Sequence, residues 1–262
     1  YAHFRDMHAK FPLQEAISKE IDIPTFIHSH AIQPLLFIRI RPWQKEKVIA
    51  ALLAASIEYT QVHEHCFAFS NTTALQNVLE LNKEAVIQDL NSQALAELLN
   101  FVPTSMETPI QVWDACAASG GKTILMFDTM QNIRMHVSDV RESILYNADK
   151  RLQEAGIRPA SVQVIDLTEP FDIKKPFDFV FADLPCSGSG TWGRTPEQIA
   201  FFKKKDLVNY TELQSKIISN ILPTVKLNGH LLIATCSVYA AENEAHVNAI
   251  LEQGQFELVE QK

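Results

Sequence analysis

The sequence predicts an α/β protein in which a doubly wound, mostly parallel sheet follows a smaller N-terminal α/β domain. From about residue 110 onward, short apolar runs rich in Val, Ile, Leu and Phe alternate with helical patterns almost without interruption. A glycine turn follows the first of these runs, and acidic residues end four of them in succession: Asp114, Asp139, Asp166 and Asp183. Because ligands bind at the carboxyl edge of such sheets, the site is expected there.

The N-terminal part is dominated by helical patterns. A helix is expected over Phe11 to Glu20, with Pro12 in its first turn, and a second over Trp43 to Ala55. Strands are expected at Leu35 to Ile40 and in the stretch from Glu58 to Phe69. This strand, helix, strand unit fits an RNA-binding accessory or structural packing equally well.

The periodicity changes near residues 100 to 110, where a connector is expected at Pro103-Thr104-Ser105 and Thr108-Pro109. We therefore expect one domain over residues 1–105 and a second over 106–262. The second domain is expected to contain five strands, in chain order Gln111 to Ala115, Arg134 to Val140, Ser161 to Leu167, Phe177 to Leu184 and His230 to Cys236.

Composition excludes several classes of protein. The chain has 262 residues, of which 47% are hydrophobic, yet no apolar run approaches the roughly 18 residues that span a bilayer. We expect no membrane partner and a cytoplasmic location. The four cysteines match no disulfide framework, and His63, His65 and Cys66 lack a fourth ligand, so no metal site is expected. The chain starts at Tyr1 rather than Met, so further residues are expected upstream.

The net charge of −8 argues against a nucleic-acid partner, because phosphate contacts require Lys and Arg. Basic residues nevertheless cluster locally. Either a solvated face or a phosphate-binding surface explains each cluster: Arg39, Arg41, Lys45 and Lys47; Lys203, Lys204 and Lys205; Lys150, Arg151 and Arg158.

Two cysteines, Cys186 and Cys236, each follow an apolar run and are expected at the carboxyl edge of the sheet, together with the glycine turn. That turn, Gly120-Gly121-Lys122-Thr123, lacks the glycine spacing of dinucleotide-binding and nucleoside-triphosphate-binding loops. A nucleoside cofactor without phosphates, such as S-adenosylmethionine, remains. Asp139 at the end of the second strand suits the two ribose hydroxyls, although a strand-end Asp can also cap the next helix.

An ordered set of motifs resembles the RNA cytosine-C5 methyltransferases of the Sun/Nop type, bacterial ribosomal-RNA members especially. Three motifs carry the resemblance: Cys116-Ala117-Ala118-Ser119-Gly120-Gly121-Lys122-Thr123, Asp183-Leu184-Pro185-Cys186-Ser187-Gly188, and Thr235-Cys236-Ser237 with Glu242-Asn243-Glu244. Further similarity lies at Gln88-Asp89, Arg194-x-Pro196, Leu213-Gln214 and Asn228-Gly229. Each motif alone is weak, and their order between about Ala31 and Ile250 makes the set specific.

The resemblance implies a class I, Rossmann-like methyltransferase that depends on S-adenosylmethionine. It makes 106–262 the catalytic domain, 1–105 an RNA-binding accessory domain and RNA, in the bacterial members ribosomal RNA, the partner. The cofactor would contact the loop from Cys116 to Lys122, Asp139 at the ribose, Asp166 near the adenine and Asp183 near the methionine end. Cys116 itself is expected to be a small buried hydrophobe.

The resemblance also assigns the chemistry. C5 of cytosine becomes nucleophilic only after a thiolate adds at C6, and the Thr-Cys-Ser motif makes Cys236 that nucleophile. Cys186 would assist release of the C5 proton, and Asp183 would hydrogen-bond N3 of the base. A free thiol has a pKa of about 8.5, so a cation such as Lys122 is expected to lower it.

Two departures from the family pattern leave other functions open. Ser119 stands where the family usually has proline, which is expected to loosen the cofactor loop, and the chain ends soon after Phe256 to Glu260, before a last strand. A cofactor-binding scaffold in ribosome assembly with little turnover is one alternative. A DNA cytosine-C5 methyltransferase is another, in which the nucleophile would be Cys186, although such enzymes typically have Pro-Cys-Gln.

Overall fold

The computed structural model describes residues 10–103, 107–172 and 176–261. Within these ranges the chain forms two sheets, one with four strands and one with five. The predicted connector residues Thr104 and Ser105 lie outside the described residues, so the domain division near 105 stays a prediction. None of the described helices is long and apolar enough to span a bilayer.

The first sheet is antiparallel, with the strand order β2-β3-β1-β4. Its strands are β1 (Leu36–Ile40), β2 (Thr60–His63), β3 (Cys66–Phe69) and β4 (Ala85–Ile87). The described helices of this part are α1 (Ile23–Ser29), α2 (Lys45–Ala54) and α3 (Leu90–Leu99). Ile38 and Phe67 of the sheet pack against Val48 and Leu52 of α2 and are fully buried.

The second sheet is parallel, with the strand order β7-β6-β5-β8-β9, which confirms the predicted doubly wound architecture. Its strands are β5 (Ile110–Asp114), β6 (Ile133–Asp139), β7 (Ser161–Val164), β8 (Phe177–Asp183) and β9 (Val225–Ala234). The described helices are α4 (Gly121–Thr129), α5 (Glu142–Glu154), α6 (Gln198–Phe201), α7 (Lys204–Ile221) and α8 (Glu244–Leu251). The strand order reverses at β5, and a binding crevice opens beside such a strand.

The predicted helix from Phe11 to Glu20 is wrong. The chain forms only a short 3-10 turn at Gln14–Ala16, and the helix α1 begins later, where the Asp22 carboxylate accepts a hydrogen bond from the Thr25 N–H. Phe11 and Ile17 instead pack in one apolar cluster with side chains of the second sheet's loops, Trp192, Val238 and Tyr239. Packing against these distant residues therefore overrides the local helical pattern.

The stretch from Glu58 to Phe69 is not one strand but a hairpin of β2 and β3, with Glu64 and His65 in its turn. His63 and Cys66 are paired across the hairpin, and Cys66 is buried on β3. In the described ranges no three His, Cys, Asp or Glu side chains are close enough to hold a metal ion.

The first basic cluster joins the first sheet to two helices of the second part of the chain, α4 and α5. Arg39 Nη1 donates to Asp128 Oδ2 at 2.6 Å, and Arg41 Nη2 donates to Asp128 Oδ1 at 2.8 Å. Arg41 Nη1 also donates to the carbonyl of Ala155 at 2.5 Å. Both side chains are at most 12% exposed, so they form neither a solvated face nor a phosphate-binding surface. Lys45 and Lys47 pair with glutamates of the same part of the chain.

Candidate active site

The glycine turn lies at the carboxyl edge of the parallel sheet, between β5 and α4. Gly120 has a φ of +78°, a left-handed conformation that glycine adopts without strain, and its N–H donates to the Ala117 carbonyl at 2.9 Å. The Ala117 N–H in turn donates to the Ser138 carbonyl on β6 at 2.9 Å. The loop is thereby fixed to two neighbouring strands.

Side chains from other elements support this loop. Arg151 on α5 donates to the Ser119 hydroxyl at 3.2 Å and to its carbonyl at 3.3 Å. The Gln88 side chain donates to the Gly121 carbonyl at 3.3 Å and accepts from Arg39 Nε at 2.9 Å. The Ser119 side chain, which departs from the family pattern, is therefore tied to α5.

Asp139 ends β6 directly beside the loop, and its side chain is 5% exposed. Its Oδ2 accepts from the Ala118 N–H at 2.9 Å, and its Oδ1 accepts from the Arg141 N–H at 2.9 Å and from Arg141 Nε at 3.0 Å. Burial opposes ionisation, but these hydrogen bonds outweigh it and lower the pKa of Asp139. Asp139 is therefore an anion that can accept further hydrogen bonds at the edge.

The other strand-end acids lie in different surroundings. Asp114 is fully buried below the loop, where it accepts from the Thr123 hydroxyl at 2.6 Å, and burial raises its pKa to about 7. Asp166 is exposed and accepts from the N–H and hydroxyl of Thr168. Asp114 thus supports the loop from beneath, whereas Asp166 remains open to a ligand.

Lys122 and Asp183 form an ion pair across the edge. Lys122 Nζ donates to Asp183 Oδ2 at 2.6 Å, and both side chains are 23% exposed. The pair joins the first turn of α4 to the end of β8, so the glycine loop and the Asp-Leu-Pro-Cys motif are in direct contact.

The two thiols predicted at this edge are adjacent, because Cys186 Sγ and Cys236 Sγ lie 3.3 Å apart. The hydrogen bond from Cys186, helped by the charge of Lys122, lowers the pKa of Cys236 against the opposing effects of burial and Asp183. The same hydrogen bond, with burial and the charge of Cys236, raises the pKa of Cys186. These directions favour Cys236 as the more readily ionised thiol of the pair and Cys186 as its hydrogen-bond donor.

The backbone of the Cys236 loop is held by a second segment of the chain, which approaches it closely at Gly190. The Gly190 N–H donates to the Cys236 carbonyl at 2.9 Å, and a Cβ on Gly190 would lie 3.0 Å from that oxygen. Any larger residue at this position would therefore move Cys236. At the preceding strand end, the Leu184 N–H donates to the Ala234 carbonyl at 2.9 Å, which holds β8 and β9 together.

The remaining cysteines lie apart from this pair. Burial raises the pKa of Cys116, with a further contribution from the charge of Asp114, and burial likewise raises the pKa of Cys66. Both are poor nucleophiles at neutral pH because the thiolate is the reactive form.

A cleft of about 370 Å³ begins at the residue after Cys186 and is lined by Ser187, Gln198, Phe201, Phe202, Asp206, Asn209, Tyr210 and Leu213. Lys203, Lys204 and Lys205 are exposed and lie in the chain between two of its lining residues, Phe202 and Asp206. This basic run is therefore open to solvent next to cleft residues, unlike the buried arginines of the first cluster.

Sequence reasoning missed the contacts around this site. Asp89 and Arg194, noted only as separate similarities, form an ion pair. Glu242 and Gln214, also noted only as similarities, are buried and hydrogen-bonded beneath the two thiol loops. The sole available signal was the resemblance, because residues so far apart in the chain share no local pattern.

Comparisons with known proteins agree with this architecture. Residues 98–262 match the model of the family described as 16S rRNA methyltransferase RsmB/F. Ribosomal RNA small subunit methyltransferase B of Yersinia enterocolitica is 31% identical over 169 residues, which are 64% of this chain and 38% of that protein. The chain thus spans well under half the length of the curated relatives it matches.

Two solved structures share the fold over nearly the whole chain. A protein named PH0851 superposes with a TM-score of 0.80 over 97% of this chain and 57% of that one, at 23% identity. NSun6 from Pyrococcus horikoshii superposes with a TM-score of 0.75 over 95% of this chain and 87% of that one, at 14% identity. At these identities the likeness establishes the fold.

Proposed function

Because this chain belongs to the 16S rRNA methyltransferase RsmB/F family, we propose that it transfers a methyl group from S-adenosylmethionine to C5 of a cytosine in ribosomal RNA. The observation that supports this most directly is the thiol pair, with Cys186 Sγ and Cys236 Sγ 3.3 Å apart beside the glycine loop. Activation of cytosine at C6 requires a thiolate, and release of the product requires a second group close by.

The chemistry of the edge suits an adenosyl ligand without phosphates. Carboxylates end or follow three strands at this edge, at Asp139, Asp166 and Asp183, and the cations Lys122 and Arg141 already pair with two of them. A phosphate would meet this negative charge, whereas ribose hydroxyls and an ammonium group would donate hydrogen bonds to it.

The residues that would hold the cofactor follow from this arrangement. Asp139 would accept the ribose hydroxyls once the Arg141 side chain, which is 57% exposed, moves aside. The loop from Cys116 to Lys122 would contact the cofactor through its backbone, Asp166 would lie near the adenine and Asp183 near the methionine end. When bound, S-adenosylmethionine supplies an electrophilic methyl group.

In this mechanism the Cys236 thiolate adds to C6 of the cytosine, and the electron pair moves toward N3 and C5. N3 becomes more basic and takes up a proton, and the resulting N3–H donates to Asp183, which Lys122 holds in place. C5 would then take up the methyl group that bound S-adenosylmethionine supplies, with S-adenosylhomocysteine as the leaving group. The lowered pKa of Cys236 supports this assignment over the DNA-type arrangement, in which Cys186 would be the nucleophile.

Cys186 would complete the reaction. Its pKa is raised by the hydrogen bond to Cys236, by burial and by the charge of Cys236. Once the Cys236 sulfur has bonded to C6, that charge and that acceptor are gone, so Cys186 can lose its proton to solvent. The new thiolate can then accept the C5 proton, and the bond between Cys236 and C6 breaks.

The purified protein, given S-adenosylmethionine and an unmodified transcript of small-subunit ribosomal RNA, is expected to form 5-methylcytosine. Nucleoside mass spectrometry of the digested RNA measures it, with a DNA duplex of matched sequence as the control substrate. Methylation of the DNA alone would contradict the proposal, and cofactor binding without any methylated nucleoside would favour the scaffold alternative.

Replacing Asp139 with alanine is expected to weaken binding of S-adenosylmethionine by at least about tenfold, because hydrogen bonds from ribose hydroxyls to a carboxylate contribute roughly 1.5–3 kcal/mol each. Isothermal titration calorimetry measures the affinity. Asp149→Ala, on the α5 helix, is the control, since that carboxylate accepts only a local hydrogen bond from Gln153 among the contacts described. Equal affinity in wild type and Asp139→Ala would remove Asp139 from the cofactor site.

A further inference from the structure

Glu242 is a fully buried carboxylate that the mechanism does not use. It is the last residue of a 3-10 turn at Ala240–Glu242, six residues after Cys236 and just before α8. The donors described around it, three serine or glutamine side chains and one backbone N–H, are all neutral. A buried charge is costly unless several hydrogen bonds compensate it, so this placement needs a reason.

Both oxygen atoms of the Glu242 carboxylate accept hydrogen bonds from the Cys186 loop. The Ser187 N–H donates to Glu242 Oε1 at 2.8 Å, and the Ser187 hydroxyl donates to Oε2 at 2.6 Å. Ser187 directly follows Cys186, so the two bonds fix both the backbone and the side chain next to the first thiol.

Glu242 Oε2, which accepts from the Ser187 hydroxyl, also accepts a hydrogen bond from the Cys236 loop. The Ser237 hydroxyl donates to Glu242 Oε2, and Ser237 directly follows Cys236. The hydroxyl of Ser237 also accepts from the Tyr239 N–H at 3.0 Å, which folds the loop back toward the turn that carries Glu242. A single carboxylate therefore contacts the residue after each thiol.

Helices α7 and α8 complete the arrangement. Gln214 Nε2 on α7 donates to Glu242 Oε1 at 3.0 Å and to the Pro185 carbonyl, the residue before Cys186, at 2.9 Å. The orientation of Gln214 is set by His246 on α8, whose Nε2 donates to Gln214 Oε1 at 2.8 Å. Burial lowers the pKa of His246 and so favours the neutral ring, which makes this bond in its Nε2–H tautomer.

We propose that Glu242 is a positioning residue that holds the Cys186 and Cys236 loops in register and so keeps the two sulfur atoms within contact distance. The inference rests on the proposed function, for which the thiol pair must act in succession. Glu242 touches neither the base nor the cofactor in this role and works through Ser187 and Ser237. The distance it sets governs the hydrogen bond by which Cys186 stabilises the Cys236 thiolate.

Glu242→Gln tests this with a readout that needs neither RNA nor cofactor. The substitution keeps the size of the side chain and replaces one acceptor oxygen by a donor group. Dibromobimane, which fluoresces only after it has bridged two neighbouring thiols, is expected to react at least about tenfold more slowly with the variant. The pH profile for alkylation of Cys236 by iodoacetamide is expected to shift upward, because the hydrogen bond from Cys186 is weakened.

Glu84→Gln is the matched control, because Glu84 is also a buried, hydrogen-bonded glutamate but lies in the turn before β4, where it pairs with Lys47. It is expected to bridge at the wild-type rate. Cys186→Ala must abolish the bimane signal, which identifies the thiol pair as its source. Wild-type bridging and an unchanged alkylation profile in a folded Glu242→Gln protein, with only its melting temperature lowered, would reduce Glu242 to a structural role and overturn the proposal.

Ser237→Ala provides a second variant should Glu242→Gln fail to fold. It removes one hydroxyl donor and leaves the carboxylate bonded to Ser187, so bridging is again expected to slow, by a smaller factor. Wild-type bridging in folded Ser237→Ala would then overturn the proposal. Because bridging is measured without substrate, a protein that bridges normally yet fails to methylate RNA contradicts the proposed function and leaves this inference intact.

Discussion

Replacing Cys236 with alanine is expected to abolish methyl transfer and to abolish any covalent bond between protein and RNA. Without a thiolate at C6, C5 of cytosine stays a poor nucleophile toward the methyl group, and we expect the rate to fall by at least about a thousandfold. Incorporation of a radiolabelled methyl group into a small-subunit rRNA transcript measures this loss. Binding of S-adenosylmethionine is expected to be nearly unchanged, because the proposed mechanism has Cys236 contact the base and not the cofactor.

Cys66→Ala is the matched control for this experiment. Cys66 is a buried thiol on the first sheet whose pKa is raised by burial, so it takes no part in nucleophilic chemistry at neutral pH. Its loss is expected to leave the rate of methyl transfer within about twofold of wild type, although the cavity it leaves will lower stability somewhat. Full activity in Cys236→Ala would exclude this residue as the nucleophile.

The parallel sheet could be predicted because its signals are local. Apolar runs alternate with helices, so the bounds of β5, β6 and β8 are predicted to within one residue. The largely exposed β7 ends three residues earlier than predicted, and β9 begins five residues earlier. The first sheet was less predictable, since the three-residue strand β4 is too short to carry a periodic pattern. The helix predicted around Phe11 is wrong because contacts with Trp192 and Tyr239 determine the conformation of that segment.

The candidate site, too, is predictable from the sequence only in part. Convergence of Cys186 and Cys236 follows from the rule that parallel strands end at one edge, so the two thiols could be placed together without coordinates. The partners of Arg39 could not, because Asp128 lies 89 residues away and no sequence pattern links the two. The sequence therefore predicts an exposed basic surface, whereas its two arginines are buried where the first sheet meets helices α4 and α5.

Replacing Cys186 with alanine is expected to have the opposite outcome from Cys236→Ala, because release fails while addition continues. A protein–RNA adduct that resists denaturing detergent is expected to accumulate when S-adenosylmethionine is supplied, and denaturing gel electrophoresis with labelled RNA measures it. Cys236→Ala must give no adduct under the same conditions. An adduct in Cys236→Ala and none in Cys186→Ala would exchange the roles and favour the DNA-type arrangement.

The pH dependence of adduct formation tests whether the hydrogen bond from Cys186 lowers the pKa of Cys236. The hydrogen bond from Cys186 is the largest cause that lowers the pKa of Cys236, so its removal raises that pKa and reduces the thiolate fraction at neutral pH. Adduct formation by Cys186→Ala is therefore expected to be slow near pH 7 and to speed up toward about pH 9, above the ordinary pKa of a thiol. Cys186→Ser is the control, because its hydroxyl can still donate to the Cys236 sulfur but does not ionise in this range. The Cys186→Ser variant should also accumulate the adduct, with a smaller shift of its pH profile toward high pH. Equal pH profiles in the two variants would mean that this hydrogen bond does not lower the pKa of Cys236.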